Sequence, residues 1–333
     1  MEYRQLGRSG LRVSALSFGA WVTFGDQIGD ETAEACMKAA YDAGVNFFDN
    51  AEVYGHGVAE EMMGRIIRKL GWKRSDLVIS TKIFWGGVGP NDKGVHAKHV
   101  KEGMDAALGR LEMDYVDLVF CHRPDFFTPV EETVRAMNQL IREGKAMYWG
   151  TSEWPADMIM DAWHIARANG MVPPLMEQSQ YNLLRRERIE KEYIRLYDRI
   201  GLGTTIWSPL ASGILAGKYS NGIPKGSRLS LSSYKWLKES IMDTPEGKVK
   251  IEKARKLQVV ADELGISLAR LALAWCLKNP HVSTVITGAS RPEQVVENMK
   301  ALDDVSLLTD DVMGRLETIV DNRPSPEPDF RGV

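Results

Sequence analysis

Asp49 and Tyr54 in FFDNAEVYG, Lys82 in LVISTK and His122 in VDLVFCHRP are four residue types that suit one reaction. Each word contains a short apolar run that reads as a buried strand, so three strands would deliver their last residues to one rim of a parallel barrel or sheet. Such rims are where these folds do chemistry. A phenol with an unperturbed pKa of about 10 is a poor acid at neutral pH. An ammonium beside it favours the phenolate, so Lys82 is expected to lower the pKa of Tyr54 and ease proton donation. Asp49, beyond the lysine, would keep it charged and oriented. His122 would hydrogen-bond the oxygen of a carbonyl substrate.

The elements that must hold these residues alternate along the chain. Strand-like runs fall at 13–19, 45–50, 77–81, 115–120, 146–151, 174–179, 202–208 and 282–287. Amphipathic helix patterns occupy 32–43, 58–70, 97–111, 129–143, 155–169, 189–200, 255–278 and 292–302. About eight strand–helix units predict an α/β fold, a closed (β/α)8 TIM barrel preceded by a short N-terminal turn at GRSG. One domain over 1–333 is expected, since barrels of this length commonly form one. The stretch 219–250, with NGIPKGSRLSLSS, breaks the rhythm and reads as a long loop with some helix, inserted after the seventh strand. Loops of that length are usually functional or disordered. The proline-rich end, 321–333, reads as a surface tail.

Composition excludes several classes. Lysine and arginine total 42 against 45 acidic residues, a net charge of −3, which gives no electrostatic case for nucleic acid. Cys36, Cys121 and Cys276 form no CxxC pair, so neither a disulfide framework nor a cysteine zinc site is expected, and a reducing cytoplasm fits. MEYRQLGRSG has no apolar leader core, and no apolar run reaches the ~18 residues of a membrane span.

Taken singly, each residue has a plainer reading. Asp49 suits a turn cap, Lys82 a solvated loop, His122 a satisfied core histidine. Together on successive strand ends they favour the site. Cys121 beside His122 reads as buried and receives no role. His96 and His99, three apart at a helix start, lack a third ligand nearby, so a solvated helix face is expected and no metal. Tyr234 and Lys238 have the spacing of a short-chain dehydrogenase pair but lie in the irregular insertion without a glycine-rich turn before them. There is no GxGxxG or P-loop. A dinucleotide can still bind a barrel rim, with phosphates near the loops after strands seven and eight, and GASRPEQVVENM offers Gly288, Ser290 and Pro292 at a helix start, though standing alone it reads equally as an ordinary strand-to-helix turn. Trp21, Trp85 and Trp154 follow strand ends and would wall an apolar substrate pocket, with a place in the core the plainer reading for some of them.

The four residues, with YRQLGRSGLRVSALSFGAW, WGTSEW, EQSQYNLL, WSPLASGILAGKY and GASRPEQVVENM, run in order over nearly the whole chain. They resemble the aldo-keto reductases, closest to the branch that contains the β subunits of voltage-gated potassium channels and their bacterial relatives. The resemblance implies the tetrad Asp49, Tyr54, Lys82 and His122, NADPH as cofactor and a small carbonyl substrate. It implies that Gly288, Ser290, Gln294, Glu297 and Asn298 grip the adenosine end. Trp207 would pack on the nicotinamide; Ser208, Pro209, Leu210 and Ser212 would line the pyrophosphate; Lys218 and Arg228 would lie near the phosphates. Trp21 lies in the same cofactor region, and Ser152 and Gln178 match positions that bind the carboxamide. Arg228 favours NADPH, because a 2′-phosphate needs charge-assisted partners. The expected function is reduction of aldehydes and ketones, with Tyr54 as proton donor, in a cytoplasmic protein. The rival is a channel accessory subunit that uses NADPH as a redox sensor. His122 and Glu153, where the animal subunits usually have asparagine and arginine, weigh against a channel partner. The same branch implies a homo-oligomer, a tetramer or larger ring.

Overall fold

Eight short apolar segments become eight parallel strands of a closed barrel in the computed structural model. The structure describes residues 1–21, 24–25, 27–219, 222–224, 228–231 and 234–332, excluding the side chains of Arg228 and Gly332. A hairpin of β1 (Tyr3–Gln5) and β2 (Arg12–Ser14) comes first. The barrel strands are β3 (Leu16–Gly19), β4 (Phe47–Asp49), β5 (Val78–Ile83), β6 (Val116–Cys121), β7 (Ala146–Ser152), β8 (Met176–Gln178), β9 (Gly203–Ile206) and β10 (Thr284–Thr287). They pair in sequence order, and β10 closes on β3 through Val285 opposite Leu16. Strands buried on both faces need continuous apolar or small residues, and VISTKI in β5 is buried at every position.

The expected strand at 13–19 is two elements. Its first half turns away to pair with β1, and only Leu16–Gly19 enters the barrel. The hairpin then closes the N-terminal end: Leu6 and Val13 join Phe47, Val78, Leu118, Phe120, Met176 and Ile286 in a separate cluster inside the barrel. Gly7 makes the seal tight. Its φ is +54°, and a Cβ there would stand 2.6 Å from the Gly203 nitrogen. Arg4 ties the hairpin down by donating to the carbonyls of Leu277 and Val282, each at 2.9 Å.

The larger core lies between the strands and an outer helical layer. That layer contains α1 (Asp30–Asp42), α2 (Val58–Leu70), α3 (Ala97–Leu111), α4 (Val130–Arg142), α5 (Ala156–Ala168) and α6 (Ile194–Ile200). It continues through α7 (Lys235–Lys238), α8 (Pro245–Glu263), α9 (Leu268–Lys278), α10 (Pro292–Met299), α11 (Ala301–Asp304) and α12 (Asp310–Val320). In α4, Thr133, Val134, Met137, Asn138 and Leu140 face inward at helical spacing.

The single helix expected over 255–278 is two. Gly265 takes φ +70°, and the Ser267 hydroxyl accepts from the Arg270 N–H at 3.3 Å to start α9. Within 219–250, α7 is present and α8 begins at Pro245, capped by Thr244, so the irregular part is shorter than expected. Part of that insertion, including Asn221 and Ser233, lies outside the described residues. Helix α12 went unforeseen, although Thr309 followed by Asp310 and Asp311 is a start signal, and its hydroxyl accepts from the Val312 N–H. No helix among the described residues is long and apolar enough to cross a membrane.

Candidate active site at the strand C-termini

Parallel closure places every strand's last residue at one end of the barrel. Asp49 ends β4, Lys82 lies near the end of β5, His122 follows β6, and Ser152 and Gln178 end β7 and β8. Backbone bonds extend the register past the strands: the Glu52 N–H donates to the Lys82 carbonyl at 3.2 Å, and the His122 N–H to the Ile83 carbonyl at 3.1 Å. Tyr54 stands in the turn leaving β4. Gly55, His56 and Gly57 there all take positive φ, which swings the chain into α2 and leaves the phenol over the barrel mouth.

Lys82 is fully buried and uses all three donors. Its Nζ bonds Asp49 Oδ2 at 2.6 Å, the Asn50 carbonyl at 2.8 Å and the Tyr54 hydroxyl oxygen at 3.0 Å. Asp49 Oδ1 in turn accepts from the Ser80 hydroxyl at 2.8 Å and the Gln178 amide at 3.0 Å. The His122 ring meets Tyr54 edge-on at 5.8 Å and Trp85 at 5.0 Å between centroids. Its Nδ1 is buried with no partner among the described residues.

Charge in this setting differs from the expectation. Burial raises the Tyr54 pKa well above its ordinary value, and Asp49 adds to the rise, with Arg123 opposing. The lysine's hydrogen bond does not bring the resting phenol down, so Tyr54 holds its proton at neutral pH. Burial lowers the pKa of Lys82, with Asp49 pulling it back up. Burial, then Lys82 and Arg123, push His122 well below its usual range, so its imidazole is neutral. The arrangement is a protonated phenol, an ammonium bonded to its oxygen and a neutral imidazole facing one space.

That space is a cavity of ≈ 630 Å³. Asp49, Tyr54 and His122 line its floor, with Lys82 behind them. Of the residues expected at a cofactor, Trp21, Ser152, Gln178, Trp207, Ser208, Pro209, Leu210, Ser212, Lys218, Gly288, Ser290 and Gln294 also line it. A family model described as the Aldo/keto reductase family matches residues 15–321. The chain belongs to that family. Aldo/keto reductases are oxidoreductases that generally bind NAD(P)H. A rice protein (Oryza sativa subsp. japonica) described as a probable voltage-gated potassium channel subunit beta is 56% identical over 333 residues, covering 99% of this chain and 100% of the relative. An Arabidopsis thaliana protein with the same description is 54% identical, with the same coverage of both chains.

The cavity of this aldo/keto reductase fits a dinucleotide. It runs unbroken from His122 to Gln294, and a Cβ at Gly288 would meet nothing nearer than 3.9 Å, so a ligand can approach the backbone there. Ser290 N–H and hydroxyl both point at Gln294 Oε1, at 3.0 and 3.3 Å. The Ser152 hydroxyl already donates to the Gln178 carbonyl at 2.8 Å, so toward a carboxamide it can only accept.

Other expected residues fall elsewhere. Trp154 is 1% exposed and outside the cavity, a core residue whose carbonyl accepts from Arg188 and Tyr193. Glu297 and Asn298 also lie outside its lining, on α10, where Glu297 bonds Ser267 and Lys300. The side chain of Arg228 lies outside the described residues. His99 is buried, contrary to the solvated face expected, and its Nε2 lies 3.1 Å from Glu52 Oε1; His96 caps α3. Among the described residues no three metal-ligating side chains converge.

Sequence reasoning missed Arg123, which lies over Trp85, and Glu52, which lines the same cavity. It gave Glu153 no role, yet Glu153 takes φ +58° and accepts from Trp207 Nε1 at 3.0 Å, fixing that indole. A cation directly after a strand-end histidine was the one readable signal for Arg123.

Proposed function

We propose that this protein is an NADPH-dependent reductase of aldehydes and ketones. The observation that carries the reading is the ammonium of Lys82 held between Asp49 and the Tyr54 hydroxyl at the floor of the cavity. NADPH, when bound, supplies the hydride. Trp207 and Trp21, edge-to-face at 5.5 Å, offer an apolar wall for the nicotinamide, with Gln178 and Ser152 beside it. Ser208, Pro209, Leu210, Ser212 and Lys218 would flank the phosphates, and Gly288, Ser290 and Gln294, with Glu297, Asn298 and Arg228, would serve the adenosine end. The 219–250 insertion would fold over them.

Catalysis then follows from this chain's own groups. His122, being neutral, carries an N–H that can donate to the carbonyl oxygen and polarise it. Tyr54 gives its proton to the same oxygen as negative charge develops there. Lys82 is already hydrogen-bonded to the phenol oxygen, so the forming phenolate meets a fixed cation without reorganisation. Asp49 keeps that cation charged against burial. Water exclusion strengthens each interaction.

A second reading, an accessory β subunit of a voltage-gated potassium channel, is supported by the descriptions of the rice and Arabidopsis relatives. Loss of reduced-nicotinamide absorbance across a panel of small aldehydes, dicarbonyls and aromatic aldehydes tests the first. Turnover with NADPH supports the reductase. Tight NADPH binding with no turnover on any member would leave the accessory reading.

A further inference from the structure

The acidic side chains that line the cavity each have a donor. Asp49 holds Lys82. Glu52 accepts from the Phe84 N–H at 2.6 Å and faces His99. Of the nearby cations, Arg110 in the lining pairs with Glu60 at 2.7 Å, and Lys82, behind the lining, pairs with Asp49. Arg123 differs. Its guanidinium lies 5.4 Å from the ring centre of Trp85 and 6.0 Å from that of Trp207, and its hydrogen bonds go to neutral oxygens, the His122 carbonyl and the Ser152 hydroxyl at 3.3 Å. No carboxylate among the described residues pairs with it; nearby Glu153 is engaged by Arg188 and Arg185.

A half-buried guanidinium without a counter-ion, framed by two indoles, is a receptor for a planar anion. Arg presents a fork that matches carboxylate geometry, and partial desolvation strengthens the pair. Its place sets which ligand it meets. Trp85 also meets the His122 ring at 5.0 Å, so Arg123 flanks the point where a substrate carbonyl would be polarised. The far cavity end, at Ser290 and Gln294, is where the phosphates and adenosine would go.

Resting on the reductase reading, we propose that Arg123 selects carbonyl substrates that carry a carboxylate, binding the anion while Tyr54 and His122 engage the carbonyl. It is a specificity residue, and the anion it holds lies beside the Trp85 indole.

The test compares 4-carboxybenzaldehyde with its methyl ester, close in shape and differing in charge, together with binding of benzoate and benzamide followed by tryptophan fluorescence. A charge-assisted hydrogen-bonded pair predicts at least a ~10-fold preference for the acid in kcat/KM, expressed mainly in KM, and a similar preference for benzoate. Arg123→Leu should erase both ratios, Arg123→Lys should restore part of them, and added salt should shrink them in the parent protein. Equal kcat/KM for acid and ester, or ratios unchanged in Arg123→Leu, would overturn the proposal while leaving the reductase intact. A benzoate preference lost in Arg123→Leu, without turnover of either aldehyde, would keep the anion site and sink the reductase reading. A loss of NADPH affinity in Arg123→Leu larger than the loss for benzoate would reassign the guanidinium to the cofactor and also overturn it.

Discussion

Replacing Asp49 by asparagine should show how the buried charges depend on one another. Three donors converge on its two oxygens: Lys82 Nζ at 2.6 Å, the Ser80 hydroxyl at 2.8 Å and the Gln178 amide at 3.0 Å. Asparagine has one oxygen, so either rotamer turns its NH2 group toward a donor. The orientation that keeps Ser80 and Gln178 satisfied points the amide at the ammonium. Losing the counter-charge of a buried ion is expected to cost about 3–5 kcal/mol. Burial already lowers the Lys82 pKa and Asp49 opposes that, so the variant's lysine should release its proton closer to neutral pH. The unfolded chain keeps its lysine protonated up to about 10.4, so it binds more protons than the folded variant between the two pKa values. Stability of Asp49→Asn should therefore rise with pH across that window, by up to about 1.4 kcal/mol per pH unit. Lys82→Met leaves a buried carboxylate instead and should cost a similar amount, whereas the double variant removes both charges and should cost much less than the two added. Urea unfolding at pH 7 and 9 reads all of this. A double variant equal to the sum of the singles within about 0.5 kcal/mol would show that the two residues are not a coupled pair.

Further expectations follow from the same groups. Tyr54→Phe should cut carbonyl reduction by at least ~10²-fold with NADPH binding retained, because it removes the proton and little else; unchanged turnover would mean another donor. Because His122 is held neutral when folded but titrates near 6.5 when unfolded, the protein should lose stability as pH falls below that value, by up to about 1.4 kcal/mol per unit, and His122→Gln should lose less. Thermal melts from pH 7.5 to 5.5 check the difference between the two. Arg228→Ala should weaken NADPH by about 1.5–3 kcal/mol and NADH hardly at all; equal losses in fluorescence titration would place Arg228 off the 2′-phosphate.

The barrel was legible because parallel strands buried on both faces favour apolar and small residues, and most of the eight runs are rich in them, although β8, Met-Glu-Gln, buries two polar side chains. What failed was continuity. The residues at 13–19 form one unbroken β pattern, yet the hairpin takes the first half because Leu6 and Val13 gain burial inside the barrel, a contact that later chain as far as Ile286 must exist to provide. The break between α8 and α9 was written in Leu-Gly-Ile-Ser, since a glycine with positive φ followed by a serine cap is a stop and a start, but strong helical pattern on both sides masked it. Trp154 looked like a pocket wall because it follows a strand end. Glu153, at positive φ beside it, directs its own carboxylate toward Trp207, and the next indole goes inward.

The site's composition could be read from residue types, but its electrostatics could not, because burial competes with pairing and sequence gives only the pairs. The phenol shows this most clearly. Lysine near tyrosine argues for a lowered pKa, and the distance of 3.0 Å bears out the contact, yet desolvation and Asp49 outweigh it. The consequence is mechanistic. A tyrosine whose resting pKa fell toward neutrality would spend part of its time as phenolate and be unable to donate; one kept well above 10 is always loaded. In the proposed reduction the lysine's work would be confined to the moment the proton leaves, when the phenolate would form against a cation already in place, and that is the interaction a catalyst needs to strengthen selectively. Asp49 would complete the same logic from behind, since it opposes the burial that lowers the lysine's pKa and so favours a charged partner for the forming phenolate.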